Sequence, residues 1–328
     1  MELGLKFGTN ANIMQIDDED DAGEDGLSST ASISSSILEY RRLQGRTYHS
    51  DKFASTYFLP NDQQQMDSID MSHHYLTILL NGRLYLAPLE QNKTLRVLDV
   101  GTGTGIWAIE FADQFPDAEV TGTDISPCQP RWAPPNVRFE IDDATANWTW
   151  GSENFDFIHI RYLFGAIRDW NALFQEAYRC CRPGGWVQSG ECDVEFRSDD
   201  GTTELEPVLK TYKDLFQEGG KAMNVSFFVQ ELQQKAFDEA GFVEQKSARY
   251  KIPIGGWPKD PQLAEIGRVV RATLENDLEG YTLFMWQDVL KRPRDEYAVW
   301  LSSLRKAIRN PKVHSYMVVH YVYGRKPE

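Results

Sequence analysis

Short apolar runs alternate with amphipathic stretches through the middle of the chain. The run Leu95–Val100 is typical of a buried strand, and Ile106–Phe115 has the apolar spacing of a helix. The same criteria predict strands at Glu119–Thr123, Val137–Ile141, Phe155–Ile160 and Trp186–Gly190, and a helix at Asp169–Cys180. Strands and helices that alternate in this order predict an α/β fold with a doubly wound, mostly parallel sheet. Ligands of such sheets bind beyond the carboxyl ends of the strands.

The segments on either side of this core are mainly helical. Before it, we predict a short helix over Ile37–Leu43 and a longer one over Gln63–Leu80, which begins after the turn residues Asn61 and Asp62. After it, helical patterns lie at Leu205–Glu218, Phe228–Ala240, Pro261–Leu278, Trp286–Leu290 and Asp295–Arg309. Two late strands, Phe242–Pro253 and His314–Tyr323, predict an antiparallel pair at one edge of the sheet.

The chain therefore divides into three parts. Residues 1–36 contain the acidic run Asp17–Asp21 and the serine-rich stretch Ser28–Ser36, and neither buries enough apolar surface to offset its ordering entropy. We predict a disordered tail there, then a helical segment over residues 37–90. The α/β domain follows over residues 91–328, with cap helices around residues 200–310.

Composition narrows the range of partners. The chain of 328 residues has 34 Lys and Arg against 49 Asp and Glu, a net charge of −15. Nucleic-acid binding needs clustered basic residues, so no nucleic-acid partner is expected. The four cysteines lack zinc-site spacing, so we predict reduced thiols and no metal. With no apolar run long enough to span a bilayer and no signal peptide, we predict no membrane partner and a cytoplasmic or nuclear location.

Three glycines at alternate positions follow the first core strand and predict a nucleotide-binding turn. The strand ends in Asp99 and Val100, and Gly101, Gly103 and Gly105 lead into the helix. Glycine lets the backbone approach a ligand, and the helix start offers unpaired N–H groups. Positions 103–108 match the dinucleotide pattern Gly-x-Gly-x-x-Ala, whereas positions 99–105 match an acid followed by Gly-x-Gly-x-Gly.

The first pattern suits a dinucleotide and the second suits S-adenosylmethionine, and the acid before the glycines decides between these two cofactors. A carboxylate at Asp99 repels a pyrophosphate, whereas it stabilises the ammonium and sulfonium of S-adenosylmethionine. Asp124, at the end of the second core strand, is expected to accept hydrogen bonds from ribose hydroxyls. Asp143, followed by the small Ala144, suits the adenine amine. These acids at strand ends favour S-adenosylmethionine.

Three further side chains extend the predicted site. Arg46 and Tyr48 either close over the cofactor carboxylate or ribose or have a plain packing role, and Arg161 faces the cofactor or the substrate. The candidate cofactor-binding residues are thus Arg46, Tyr48, Asp99, Gly101, Thr102, Gly103, Gly105, Asp124, Ile125, Asp143, Ala144 and Arg161.

With these motifs in place, the chain over about residues 37–328 resembles the LaeA-like fungal methyltransferases of secondary metabolism. The segments that carry the resemblance are Gly45–His49, Leu59–Asp62, Asp67–His74, Leu84–Pro88, Val97–Gly105, Phe155–Arg161, Arg182–Trp186 and Tyr323–Pro327. Two departures are Gln63–Gln65, usually acidic in that family, and Ser68, often Arg. The resemblance implies a seven-stranded class I methyltransferase sheet, an N-terminal lid over residues 37–90, and a role in or around a biosynthetic gene cluster.

Three functions remain open on this basis. The first is methyl transfer to an O or N atom of a small-molecule secondary metabolite. The second is a regulatory methyltransferase that acts on gene expression through a protein partner. The third is a non-methylating enzyme on the same fold.

An alcohol or phenol acceptor would need a general base, and His73 and His74 on the longer N-terminal helix are the candidates. His159 is expected to be a satisfied core residue, because strand alternation places it on one face with Phe155, Phe157 and Arg161. Glu191 and Asp193 are either substrate-binding groups at a strand end or solvated loop acids. Aromatic segments are expected to wall an apolar substrate pocket: Trp148–Trp150, Phe227, Phe228, Tyr250, Trp257 and Tyr281–Trp286.

Overall fold

A computed structural model of the chain describes residues 39–50, 57–90 and 94–328. The predicted tail over residues 1–36 lies outside the described residues. Where a helix was predicted up to Leu43, strands β1 (Arg41–Leu43) and β2 (Arg46–Tyr48) form an antiparallel hairpin. Its two turn residues, Gln44 and Gly45, both have positive φ, at 49° and 83°. Such a turn matches the twist of two paired strands, so the helix prediction was wrong here.

The main sheet has seven strands, and the strand before the glycine turn lies inside it. The strand order is β5-β4-β3-β6-β7-β9-β8. Neighbouring strands from β5 to β7 are parallel, whereas β9 runs antiparallel to both β7 and β8. The mostly parallel sheet with an antiparallel edge pair is therefore confirmed. The strands are β3 (Arg96–Val100), β4 (Glu119–Asp124), β5 (Val137–Ile141), β6 (Phe155–Arg161), β7 (Cys181–Arg197), β8 (Val243–Pro253) and β9 (Tyr316–Arg325).

Seven α-helices are present in the described part of the chain, close to their predicted positions. They are α1 (Gln63–Leu79), α2 (Ile106–Gln114), α3 (Trp170–Cys180), α4 (Val208–Met223), α5 (Gln230–Ala240), α6 (Pro261–Leu283) and α7 (Arg294–Arg309). A π-helical turn, Phe284–Val289, follows α6 directly. None of the helices among these residues has both the length and the apolar character needed to cross a bilayer.

Each face of the parallel sheet buries its own apolar layer. On one face, Trp107 and Phe111 of α2 pack against Phe157 of β6. The other face packs Ile158 against α3 and α5. Phe155 belongs to this second layer, and the pairing of β6 with β7 shifts register between Phe155 and Phe157. The prediction that Phe155 shares a face with Phe157 was therefore wrong.

A third apolar layer covers the carboxyl side of the sheet and is built mainly from helices. It joins α1, α4, α6 and α7 to the far ends of β7, β8 and β9. Helix α6 is longer than predicted and continues through a kink at Asp277, where φ is −138° and ψ is 40°. Helix α1 packs along α6. We call this layer the roof.

Strand β7 connects the sheet to the roof. The apolar pattern predicts only Trp186–Gly190, yet the strand extends over Cys181–Arg197. Its partner β6 ends at Arg161, opposite Gly190, whereas β9 continues to pair with β7 as far as Arg197. Pairing with a long antiparallel neighbour therefore extends β7 beyond the edge of the parallel sheet.

Candidate active site

The glycine turn between β3 and α2 forms the floor of a cavity. Gly101 and Gly105 have φ values of 69° and 81°, in the left-handed region that side chains disfavour. A Cβ on Gly101 would lie 2.5 Å from the Leu163 side chain, and one on Gly105 would lie 2.4 Å from Phe139. Both positions therefore require glycine for conformation and for space.

Asp99 is held from two sides beneath this turn. Its side chain accepts a hydrogen bond from His159 Nδ1 at 2.7 Å and another from Thr102 Oγ1 at 2.6 Å. The His159 ring stacks on Trp107 with centroids 3.8 Å apart. Burial lowers the pKa of His159, so its ring is neutral at pH 7 and Nδ1 carries the proton donated to Asp99. The carboxylate is thus fixed, and it is almost fully buried.

Asp124 ends β4 and binds the glycine turn through the backbone. It accepts hydrogen bonds from the N–H of Gly103 at 2.9 Å and of Ser126 at 3.0 Å. Burial raises the pKa of Asp124 to about 6, although these backbone N–H groups act in the opposite direction. Asp143, after β5, accepts from the N–H and Oγ1 of Thr145 at 2.9 and 2.7 Å.

One continuous cavity of about 210 Å³ brings most of the predicted residues together. Gly105 is not among its lining residues and instead precedes the first turn of α2. Nine of the twelve candidate cofactor residues line the cavity, namely Asp99, Gly101, Thr102, Gly103, Asp124, Ile125, Asp143, Ala144 and Arg161. The structure therefore collects these acids and the glycine turn at one end, which we call the cofactor end.

Arg46 and Tyr48 do not line this cavity. The Arg46 guanidinium donates to Asp62 at 2.5 and 2.8 Å and to Asp277 at 2.6 and 2.7 Å. It thereby joins the hairpin to the N-cap of α1 and to the kink of α6. Tyr48 is 1% exposed and packs against Phe284, with ring centroids 5.5 Å apart. Both positions fit the packing role that the sequence left open, and a cofactor contact for them stays a prediction.

His73 and His74 lie on α1 in different surroundings. His74 is exposed, whereas His73 is buried, and the lining of the cavity includes neither. His73 Nδ1 accepts from Arg161 Nη2 at 3.1 Å, and its Nε2 lies 2.9 Å from a Glu110 carboxylate oxygen. Burial and the charge of Arg161 lower the pKa of His73 to about 4. The ring is therefore neutral and donates through Nε2, so it has no free nitrogen to act as a base.

Arg161 ends β6 and lines the cavity beside the cofactor end. Among the described residues no carboxylate forms an ion pair with it; its hydrogen-bond partner is the neutral His73. Hydrogen bonds thus connect Arg161 to His73 and His73 to Glu110. This network orients the Arg161 guanidinium and leaves the positive charge of Arg161 unneutralised.

Beyond Arg161 the same cavity continues into the roof, and its walls become apolar and aromatic. We call this part the chamber. Helices α1, α4 and α6, the segment after β6 and the far ends of β7 to β9 supply its walls: Tyr75, Leu76, Tyr162, Phe164, Cys192, Val194, Tyr212, Phe216, Ile252, Val270, Leu274, Tyr281 and Met317.

Of the aromatic residues predicted to wall a pocket, only Tyr281 lines this cavity. Trp148 and Phe227, for example, pack into apolar layers instead. Sequence reasoning missed Tyr75, Tyr212 and Phe216. The spacing of Tyr212 and Phe216, four residues apart on one helix, is a usable signal, but it does not distinguish a chamber wall from ordinary core.

Glu191 and Asp193 were placed by the sequence at the opening, and neither lines the cavity. Glu191 is buried and accepts from the N–H of Phe164 at 2.9 Å, and burial raises its pKa to about 8. Asp193 forms an ion pair with Arg197 at 3.0 Å. Because β7 continues past them, these acids lie within a strand and not in a loop at its end.

Gln64 and Ser68, two positions that depart from the family pattern, contact helix α6 of the roof. Gln64 Nε2 donates to the carbonyl oxygen of Asn276 on α6 at 2.6 Å, and Asn276 Nδ2 donates to Ser68 Oγ at 2.9 Å. Helix α1 also contacts the cofactor end, because Thr104 Oγ1 donates to Asp70 at 2.7 Å. These contacts connect α1 to α6 on one side and to the glycine turn on the other.

A seven-stranded sheet of this order, with an acid near the end of β3 and a glycine turn after it, defines the class I methyltransferase fold. Residues 71–244 match the family described as "Methyltransferase domain". Methyltransferase pytC of Aspergillus terreus is 37% identical over 94% of this chain and 95% of its own length.

Two further fungal proteins are also related to this chain. Secondary metabolism regulator LAE1 of Cochliobolus heterostrophus is 32% identical, over 87% of this chain and 94% of its own length. Protein-methionine methyltransferase laeA of Emericella nidulans is 30% identical, over 93% of this chain and 81% of its own length. The chain belongs to the LaeA-like methyltransferases, as the sequence motifs predicted.

Proposed function

We propose that this chain transfers a methyl group from S-adenosylmethionine to an O or N atom of a small, largely apolar metabolite. One observation carries the proposal: the cofactor end and the apolar chamber are two parts of one cavity. An enclosed, mostly apolar pocket with a few polar groups is the form that small-molecule sites take in proteins.

The residues at the cofactor end fit this cofactor by their charge. Asp99, Asp124 and Asp143 line that end, and Asp99, beside the glycine turn, would repel the pyrophosphate of a dinucleotide. S-adenosylmethionine supplies an activated methyl group on a sulfonium, and carboxylates nearby stabilise the positive charge of that sulfonium. Asp124 is expected to accept from the ribose hydroxyls, and Asp143, beside the small Ala144, from the adenine amine.

Arg161 completes the cofactor assignment with the opposite charge. Its guanidinium has no ion-pair partner among the described residues and is oriented by His73 and Glu110. We expect it to bind the cofactor carboxylate, because Arg is suited to paired hydrogen bonds with a planar carboxylate. Glu110 and His73 act in this proposal as positioning residues.

The chamber offers no group that is suited to remove a proton. Among the described residues, neither a carboxylate nor a lysine is part of its wall. His49, which also lines the cavity, uses both ring nitrogens, with Ser50 O at 2.9 Å and the N–H of Tyr57 at 2.9 Å. The chain's contribution is therefore to position the acceptor, which is worth about 7–11 kcal/mol in favourable cases. This supports an acceptor that is already nucleophilic, such as an amine, a carboxylate or an ionised phenol.

The experiment that tests the proposal follows the methyl group. The full chain is incubated with methyl-labelled S-adenosylmethionine and an extract of the producing fungus, with the Asp124→Ala variant as a matched control. We expect label in an organic-soluble small molecule with the wild type and none with the variant. Binding of S-adenosylmethionine without transfer to any acceptor would contradict the proposal and would favour the non-methylating alternative.

A regulatory methyltransferase is a second candidate, and the relatives favour it specifically. Two of the similar proteins carry names of regulators or of a protein-methionine methyltransferase, at 30–32% identity. In the same labelling experiment, label in a protein band with none in small molecules would support this second function over the first.

A further inference from the structure

Two tyrosine hydroxyls meet where the cofactor end passes into the chamber. Tyr75 is on α1, Tyr162 directly follows β6, and their hydroxyl oxygens are 2.9 Å apart. Both side chains line the cavity. Tyr162 lies between Arg161, beside the cofactor end, and Leu163, whose side chain contacts the space above Gly101. The two residues, which we call the hydroxyl pair, therefore lie beside the cofactor end.

Tyr162 has a backbone conformation that a bulky residue rarely adopts. Its φ is 59°, in the left-handed region. The conformation is held by a hydrogen bond from its N–H to the carbonyl oxygen of Gly190 on β7, at 3.0 Å. Residues with such strain are concentrated at functional sites, because the surrounding structure must stabilise them. The turn places the Tyr162 hydroxyl against the Tyr75 hydroxyl.

The pair is a local polar group in apolar surroundings. Burial raises the pKa of Tyr75 to about 12 and that of Tyr162 well above the usual value, so both phenols keep their protons at neutral pH. One hydroxyl donates its proton to the other. The remaining O–H and the oxygen lone pairs face Ser72 beside Tyr75, Cys192 beside Tyr162, and any ligand in the cavity. The neighbouring wall residues Leu76, Tyr212 and Phe216 provide an apolar surface for a flat ligand.

We propose that the hydroxyl pair binds an oxygen substituent, a hydroxyl or carbonyl, on the flat apolar ring system of the acceptor. The inference rests on the proposed function, because it assigns the chamber to the methyl acceptor. The apolar walls supply affinity for the ring system, and the pair fixes its orientation. A ligand that carries this oxygen gains a hydrogen bond to the pair that a ligand without it cannot form, and this difference is what discriminates between the two.

The test uses two probes that differ in one oxygen, 2-naphthol and naphthalene. Their dissociation constants are measured by fluorescence on the full chain saturated with S-adenosylhomocysteine. We expect wild type to bind 2-naphthol about tenfold more tightly than naphthalene, the value of one hydrogen bond. In the double variant Tyr75→Phe/Tyr162→Phe the ratio should fall to about one, with naphthalene affinity unchanged. Each single variant should lose less, because the remaining hydroxyl still binds the ligand.

Tyr316→Phe is the matched control, since this tyrosine donates to Asp199 at 2.8 Å and its side chain is not part of the cavity lining. Its probe ratio should equal that of wild type. An unchanged ratio in the double variant, or no binding of either probe to loaded wild type, overturns the inference. If the double variant no longer binds S-adenosylhomocysteine, the single variants decide the question. Failure of wild type to bind S-adenosylhomocysteine contradicts the proposed function instead, and the probe ratio on the chain alone then decides this inference.

Discussion

The two ends of the cavity are built in different ways. At the cofactor end, backbone groups and carboxylates at the ends of β3, β4 and β5 meet within 45 residues of sequence, positions 99–143. The chamber combines side chains from Tyr75 to Met317, on three helices, three strands and the segment after β6. The first end depends on local turns and charge, and the second on long-range packing. Variants should therefore damage one end while sparing the other.

The largest effect is expected in the roof, at Arg46. Arg46→Met removes the cation that pairs with Asp62 and with Asp277, whose side chain is fully buried. An unpaired buried carboxylate costs about 3–5 kcal/mol, so the free energy of unfolding in urea should fall by about that amount. Adding Asp277→Asn to Arg46→Met should restore much of the loss. A stability equal to wild type in the single variant would show that this ion pair does not stabilise the roof.

The next effect is expected at the cofactor end alone. Asp124→Ala removes the acceptor for the N–H groups of Gly103 and Ser126 and for the expected ribose contacts. Affinity for S-adenosylhomocysteine in calorimetry should fall about a hundredfold or more. Naphthalene binding should not change, and the exposed Asp199→Ala should bind both ligands like wild type. Unchanged cofactor affinity in Asp124→Ala would refute the ribose assignment.

A smaller effect is expected from the shape of the glycine turn. Gly105→Ala places a methyl group 2.4 Å from Phe139 at a residue with φ of 81°. We expect a loss of about 1–3 kcal/mol in urea unfolding. The control is Gly151→Ala, where a methyl group meets no atom within 4 Å, and its stability should match wild type. Equal stability of the two variants would remove the steric argument for this turn.

The smallest effect is the pH dependence of the cofactor end. With a pKa of about 6 in the fold and about 3.9 unfolded, Asp124 takes up a proton in the folded state first. The contribution of Asp124 to the stability of the cofactor-free protein therefore rises as pH falls from 6 to 4. Cofactor affinity changes in the opposite direction, because the cofactor needs the ionised carboxylate, and it should fall about tenfold between pH 7 and pH 5. Calorimetric titrations at both pH values measure the affinity change, and Asp124→Asn should abolish it. A cofactor affinity that is independent of pH in wild type would contradict the role of this carboxylate.

Sequence reasoning reached the cofactor end because its geometry follows from short stretches. The strand before Gly101, the acid at Asp99 and the acids after the next two strands are visible as patterns of a few residues. The sheet order places those strand ends together, so the pattern also predicts the site. The role of Arg46 could not be read in this way, since its partner Asp277 lies 231 positions away.

The chamber illustrates the same limit. Aromatic residues were expected to wall a pocket, yet only Tyr281 among them does so. Whether an aromatic side chain faces a cavity or a core depends on how helices pack, and periodicity reports only that one side is apolar. His73 is a comparable case: its placement on α1 was correct, but its contacts with Arg161 and Glu110 come from other elements.

The continuity of the cavity has a consequence for ligand design. An adenosine unit and a naphthol unit joined by a short tether can occupy both ends in a single molecule. Once one unit is bound, the second binds at an effective concentration set by the tether and not by the solution. Avidity of this kind can raise affinity by about 10²–10⁴ without any new contact. The tether length that maximises this gain would then measure, in solution, the distance between the two ends.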